Sequence, residues 1–299
     1  MSFGKHSQIG FIGAGNVGTS LAVALDKKGY NVVSAASRTF QSALNLSSGI
    51  QGCNPERNTQ KTVDVSEVVF VTTPDDTIAH VLKSLQFKKD QLVIHCSGVS
   101  SLDLFDDVNL PEEVYRACFH PIQAFSSIER DVDHFKGITF GIEGSMLPQD
   151  FMVNICENLN ANFVKLRSVD KPLYHLSGVL MGGLLSEYVA LCVELWVSFG
   201  LSREDGVKAL LPMMKQVSLN VEKHGIPGAV AGPFARGDLG TVTKHINAIL
   251  EHRPALLPFY CHLSLQGLGF VQEKNQLDQT VIDNMQKMLE EELENNLSS

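Results

Sequence analysis

Gly13-Ala14-Gly15-Asn16-Val17-Gly18 directly follows an apolar run, Ile9 to Ile12, and opens a helical pattern. Glycines at this spacing suit one kind of chemistry, the cradling of a diphosphate by backbone N–H groups. Gly13 permits the tight turn, Gly15 lets the phosphates approach, and Gly18 lets helix and strand pack closely, with the positive end of the helix facing the anion. The pattern predicts a bound dinucleotide. After the next β-rich run, where a reader of NAD carries an acidic residue for the ribose hydroxyls, the chain has Ala36-Ser37-Arg38-Thr39. A hydroxyl and a guanidinium suit a 2′-phosphate, so NADP (NADPH) is favoured over NAD. The alternative is that Arg38 only caps a surface loop.

Other segments fall where strands end, the place at which open α/β sheets bind ligands. Thr72-Thr73-Pro74 borders the cofactor, and the Asp75-Asp76 that follows supplies either a crevice residue or a helix N-cap. In Cys96-Ser97-Gly98, Ser97 can border the nicotinamide and orient a carbonyl, or simply end a strand in a turn. His120, in Phe119-His120-Pro121, can give a proton to a carbonyl receiving hydride, or be a hydrogen-bonded core histidine. Lys171, His175, Val179 and Gly183 share one helical face, which makes His175 the first candidate proton donor and His120 the second. Arg236, in Arg236-Gly-Asp238 at a helix start, can hold a substrate carboxylate or make an interface salt bridge.

The elements that must position these residues are legible as periodicities. Short β-branched runs at Ile9–Ile12, Asn31–Ala36, Val68–Thr72, Leu92–His95, Arg116–Phe119, Ile138–Ile142 and Asn162–Lys165 alternate with helical patterns, predicting a parallel, doubly wound sheet. After about residue 168 helical patterns take over, so a first domain is expected over 1–168 and a helical one over 169–299. The helix expected from Val169 to Phe199 is apolar around most of its circumference. Because Pro172 to Gly200 carries His175, Glu187 and Glu194, a buried helix, suited also to a dimer interface, fits better than a membrane span. Gly182-Gly183 within it predicts close approach by another group. A second helix is expected from a capping pair, Ser202 and Asp205, through a kink at Pro212 to Gly225; a third starts at the N-cap Asp238 and runs to about Glu251. A last helix aligns Leu277, Val281, Met285, Met288 and Leu289 ahead of a polar tail, Glu294 to Ser299.

The 299 residues are 44% hydrophobic and 19% charged, which excludes disorder, and a formal charge of −9 disfavours nucleic acid and anionic membranes as partners. The six cysteines lie far apart without metal-ligand spacing and read as reduced core residues, and no export signal precedes the first strand. A cytoplasmic protein with a small anionic substrate, no metal and a homodimeric assembly is expected.

The motifs Gly13-x-Gly15-x-x-Gly18, Cys96-Ser-Gly98, Phe119-His-Pro121-x-x-x-Phe125, Tyr174-His175 and Gly232-Pro-x-x-Arg236-Gly-Asp238-x-x-Thr241-Val-x-x-His245 resemble, over nearly the whole chain, Rossmann-like oxidoreductases with a C-terminal helical domain of unknown function. More distantly the layout is similar to the ketopantoate reductase, pyrroline-5-carboxylate reductase and deazaflavin-dependent NADP oxidoreductase group. The resemblance implies an α/β fold: a Rossmann doubly wound sheet followed by an all-α domain of the 6-phosphogluconate dehydrogenase C-terminal-like type. It also implies NAD(P)-dependent reduction. The chain departs from ordinary ketopantoate reductases, whose helix carries Lys-x-x-x-Asn-x-x-x-Asn, because Lys171 is followed by His175 and Val179.

The expected activity is therefore NADPH-dependent reduction of a small carboxylate-bearing carbonyl compound such as a 2-oxo acid, ketopantoate included. The alternatives are a non-catalytic NADP-binding regulatory module and a cyclic-imine reductase.

Overall fold

The computed structural model describes residues 2–108 and 110–297. The eight strands are β1 (Ile9–Ile12), β2 (Val32–Ala36), β3 (Asn54–Glu56), β4 (Val68–Val71), β5 (Leu92–His95), β6 (Tyr115–Ile122), β7 (Thr139–Gly144) and β8 (Asn162–Lys165). They form one sheet in the order β3-β2-β1-β4-β5-β6-β7-β8. The order reverses beside β1, which is where a doubly wound sheet opens its ligand crevice.

Alternation along the strands covers both faces. Phe11, Phe70, Ile94 and Phe119 enter one core, while Ile12, Val69, Val71 and Val93 enter the other. On the first face Phe11 stacks on Phe70 at 5.0 Å and Phe119 on Phe140 at 4.2 Å. The covering helices are α1 (Asn16–Lys27), α2 (Phe40–Ser47), α3 (Thr59–Asp64), α4 (Asp75–Lys83) and α5 (Met146–Leu159).

The sheet departs from the all-parallel expectation at one pair. β6 and β7 run antiparallel, with His120 opposite Gly141. Their connection holds only a 3₁₀ turn, Val132–Phe135; without a crossover helix the chain returns alongside the strand it left. β6 also continues beyond the expected Phe119, so His120 and Pro121 lie within the strand rather than after it.

The remaining helices are α6 (Lys171–Met181), α7 (Gly183–Ser198), α8 (Arg203–Gly228), α9 (Pro233–Arg236), α10 (Leu239–His252), α11 (Leu257–Glu273) and α12 (Gln279–Leu297). The single buried helix expected over Val169–Phe199 is instead two. Gly182, at φ −103° and ψ −92°, ends α6, and no other, non-neighbouring described residue comes within 4 Å of a Cβ added at Gly183, so these glycines mark a break that no helix of the same chain crosses. Nor is this segment buried: Leu173 is 74% exposed and Met181 72%. By length and composition Ser168–Ser198 could cross a membrane, but the break and the buried Lys171 at its start do not suit a lipid-embedded helix.

The chain divides into two compact units, Met1–Leu185 and Ser186–Ser299. The first takes in α6, expected from the sequence in the helical domain, because Lys171 and Tyr174 bond to Ser97 just after β5 and to Cys118 and His120 within β6. In the second unit the capping box of Ser202 and Asp205 starts α8. Its non-helical residues are Gly225 and Ile226, not Pro212: Gly225 takes a φ of 62°, open to glycine, whereas Pro212 is absorbed in the helix. Asp238 accepts from Thr241 N at 3.0 Å and N-caps α10. Met285 and Leu289 of α12 are fully buried, and α12 extends through the expected polar tail to Leu297, leaving Ser298 and Ser299 outside the described residues.

Candidate active site

The glycine loop leaves β1 and enters α1 along a cavity of about 790 Å³ lined by Gly13, Ala14, Gly15, Asn16 and Val17, by Ser37 and Arg38 after β2, and by Thr72, Thr73 and Pro74 after β4. Each glycine has a distinct reason. Gly13 adopts φ +104°, and a Cβ there would lie 2.7 Å from the backbone of Thr72. At Gly18 a Cβ would collide with Gly13 O and Thr72 Oγ1, so this glycine sets the contact of helix with strand and does not line the cavity. Gly15 has nothing within 4 Å of an added Cβ. As N-cap of α1 it also offers no side chain to the first N–H groups of the helix. Open space beside unclaimed donors fits a dinucleotide pyrophosphate.

Thr72 Oγ1 donates to Gly13 O at 2.6 Å, and Asn16 Nδ2 donates to Phe125 O at 3.0 Å. These bonds tie the loop to β4 and to the segment leaving β6. Pro74 is the N-cap of α4, so Asp75 and Asp76 occupy the first helical turn rather than the cap, and neither lines the cavity. No carboxylate appears among the residues lining it.

A second cavity of the same unit, about 420 Å³, is lined by His120, Gln123, His175, Val179 and Gly182 among others. The two imidazoles lie 5.8 Å apart, ring centre to ring centre. Gly98 makes room for them: a Cβ there would collide with His175 Cδ2 and sit 2.7 Å from His120 Nε2. Burial, then His175 and Lys171, push the His120 imidazole down to about 3, which keeps it neutral near pH 7. Tyr174 Oη lies 3.0 Å from His120 Nδ1 and 3.1 Å from the His120 carbonyl oxygen. The phenol ring occupies the space that a side chain at Gly141 would need.

Beneath this pocket Lys171 is fully buried. Its ammonium donates to Ser97 O at 3.1 Å, lies 2.6 Å from Cys118 Sγ and is 3.9 Å from Glu143 Oε2. Ser168 donates to the other Glu143 oxygen. Burial pushes the Cys118 thiol up to about 11, so it stays protonated.

Ser97 does not take the carbonyl-orienting position expected of it. It is 2% exposed, its Oγ accepts from Ser100 N at 2.9 Å in the turn after β5, and it lines neither cavity. A hydroxyl at a tight turn is drawn to the nearest free backbone N–H. Arg236 is an exposed side chain at the end of α9, in the second unit. Sequence reasoning quoted Tyr174 only as a motif residue and gave no role to Glu143. A carboxylate on β7 that meets a lysine of α6 leaves no local signal in the sequence.

Residues 8–98 match the family described as NADP oxidoreductase, coenzyme F420-dependent, and residues 138–266 match a domain of unknown function, DUF2520. A Bacteroides fragilis structure described as a candidate NADP oxidoreductase is 25% identical, with a TM-score of 0.70 over 88% of this chain and 98% of its own. The protein TM1727 of Thermotoga maritima is 23% identical, with a TM-score of 0.69 over 90% of this chain and 100% of its own. An imine reductase of a Pseudomonas species shares the fold at 17% identity and a TM-score of 0.60, over 94% of this chain and 99% of its own. A curated glycerol-3-phosphate dehydrogenase [NAD(P)+] of Clostridium botulinum is 24% identical over 229 residues, 71% of this chain, which spans 66% of that enzyme's length. With a glycine loop shaped for a dinucleotide at its head, the first matched region is similar to Rossmann-like NADP oxidoreductases, and the second carries a C-terminal domain of this unassigned kind.

Proposed function

We propose that this protein is an NADPH-dependent reductase of a small carboxylate-bearing carbonyl compound, with 2-oxo acids such as ketopantoate as the first substrates to test. One observation carries the reading: a carboxylate-free dinucleotide cavity and a pocket floored by two histidines lie within the same compact unit.

Bound NADPH would supply the hydride. The N–H groups at the start of α1 hold its pyrophosphate, and Ser37 and Arg38 receive the 2′-phosphate, which an acidic side chain there would repel. His175 gives the proton to the substrate oxygen. His120 is held neutral by burial near pH 7, so it has no imidazolium proton to give and serves as a hydrogen-bonding partner instead. Arg236, whose side chain is exposed, is the cation we put forward for a carboxylate, and its exposure supports that role.

A cyclic imine is the second reading, and the neutral His120 imidazole favours it, because a protonated C=N nitrogen brings its own N–H to an acceptor. The apolar side chains of α6 that stand exposed, Leu173, Leu176, Leu180 and Met181, support a homodimer in which a second copy covers them. Six free thiols and a net charge of −9 support a cytoplasmic location.

The test is NADPH oxidation by the purified protein against a panel of 2-oxo acids and cyclic imines, with cofactor binding followed by fluorescence. Turnover of a panel member, lost in His175→Ala with cofactor affinity retained, supports the reading. Tight binding without turnover on any member transfers support to a regulatory NADP-binding module.

A further inference from the structure

Tyr174 makes two polar contacts with one histidine. Its phenol oxygen is 3.1 Å from the His120 carbonyl oxygen and 3.0 Å from His120 Nδ1. A carbonyl oxygen only accepts, and a phenol has a single hydrogen. That hydrogen is therefore committed to the carbonyl, and the second contact is a bond only if Nδ1 carries a hydrogen that the phenol oxygen accepts. The opposite arrangement, with the phenol hydrogen on Nδ1, would leave two oxygen lone pairs facing each other at 3.1 Å in a buried site, which costs free energy. A neutral imidazole has one N–H, so Nε2 is left with a bare lone pair.

The surroundings hold this arrangement in place. His120 is fixed in β6 opposite Gly141, and the absence of a side chain at Gly141 admits the Tyr174 ring. On the other side Nε2 points to Gly98, where His175 also arrives.

We propose that Tyr174 is a positioning residue that locks His120 as the Nδ1–H tautomer, so that Nε2 enters the pocket as a hydrogen-bond acceptor for an O–H or N–H that the substrate carries beside its reacting carbon. The substrate half of this inference rests on the reductase reading above. The tautomer half does not, because it is a property of the protein without substrate.

The experiment is a long-range ¹H–¹⁵N correlation spectrum of the ¹⁵N-histidine-labelled full-length protein at pH 7.5, without substrate. The His120 ring is assigned by the signals lost in His120→Gln. The expected result is hydrogen on Nδ1 and a bare Nε2, changing in Tyr174→Phe towards Nε2–H, with the melting temperature confirming that the variant is folded. Hydrogen on Nε2 in the parent protein, or an unchanged pattern in folded Tyr174→Phe, overturns the tautomer assignment. With any substrate the panel identifies, Tyr174→Phe should raise KM about tenfold, the worth of one hydrogen bond turned from acceptor to donor, with a smaller effect on kcat. An altered tautomer with unchanged KM would overturn the substrate half alone. A protein that turns over nothing on the panel but shows the expected spectrum would overturn the reductase reading and leave the lock standing.

Discussion

Lys171 Nζ lies 3.9 Å from Glu143 Oε2, with the two side chains 1% and 8% exposed. This pair joins the first turn of α6 to β7, and α6 in turn carries His175 into the pocket and Tyr174 against His120. A buried ion pair adds little net stability, but removing one partner strands the other charge. Lys171→Met should therefore cost about 3–5 kcal/mol in urea denaturation, and Lys171→Met with Glu143→Leu should recover most of the loss. A single variant as stable as the parent would show that the pair does not anchor α6.

Two buried histidines should give the fold a pH dependence whose sign follows from their burial. Burial, followed by Lys171, pushes His95 down to about 3, and burial, followed by His175 and Lys171, does the same to His120. The unfolded chain takes up protons on both rings near pH 6.5, while the folded chain resists until about pH 3. Stability from these groups is present above pH 6.5 and is lost as pH falls towards 3. Each ring contributes a slope of up to about 1.4 kcal/mol per pH unit in that window. Denaturation at pH 7, 6 and 5 measures it, and His120→Gln should remove one ring's share. An equal slope in the variant would contradict the assignment.

The glycines of the loop should separate stability from binding. Gly15, at φ −82° with open space around it, should accept alanine within about 0.5 kcal/mol of parental stability yet lose cofactor affinity, because the methyl enters the phosphate space. Gly18→Ala pushes a methyl onto Gly13 O and should destabilise by about 1–3 kcal/mol. Paired thermal melts and NADPH titrations would decide, and equal behaviour of the two variants would refute the division of roles.

Arg38→Ala should weaken NADPH binding by about tenfold while leaving NADH nearly unchanged, a charge-assisted bond discounted for the exposure of Arg38. Equal losses for both cofactors in fluorescence titrations would remove Arg38 from 2′-phosphate recognition.

Arg236→Ala should raise KM about tenfold or more for a carboxylate-bearing substrate and leave kcat close to parental, since an anchor acts alike in ground and transition states. Steady-state kinetics with an acid and its amide measures this. The same KM increase for the amide would exclude a carboxylate contact.

The dinucleotide site was legible in the sequence because its determinants are local. A strand, three glycines and a helix follow one another in the chain, and the ends of β2 and β4 can be counted from their apolar runs. Ser97 misled because a residue at a strand end can face the crevice or its own turn, and the choice depends on a backbone donor, that of Ser100. The antiparallel β7 was missed because strand direction depends on what fills the connection after β6, where no helical pattern stands out. The apolar run after residue 168 suggested burial, yet much of it is exposed; an apolar composition does not by itself say how much of a helix the rest of the chain covers. The buried lysine–glutamate pair and the Tyr174–His120 contact are long-range, and only the fold brings them together.

The measurement that tests the central claim most directly follows deuterium from NADPH deuterated at the reactive nicotinamide carbon, using the panel of 2-oxo acids and cyclic imines and mass spectrometry of the products. The account predicts one deuterium on the carbon of the former C=O or C=N bond, transferred by the parent protein and lost in His175→Ala despite retained NADPH binding. No transfer to any member by protein that binds NADPH tightly would contradict it.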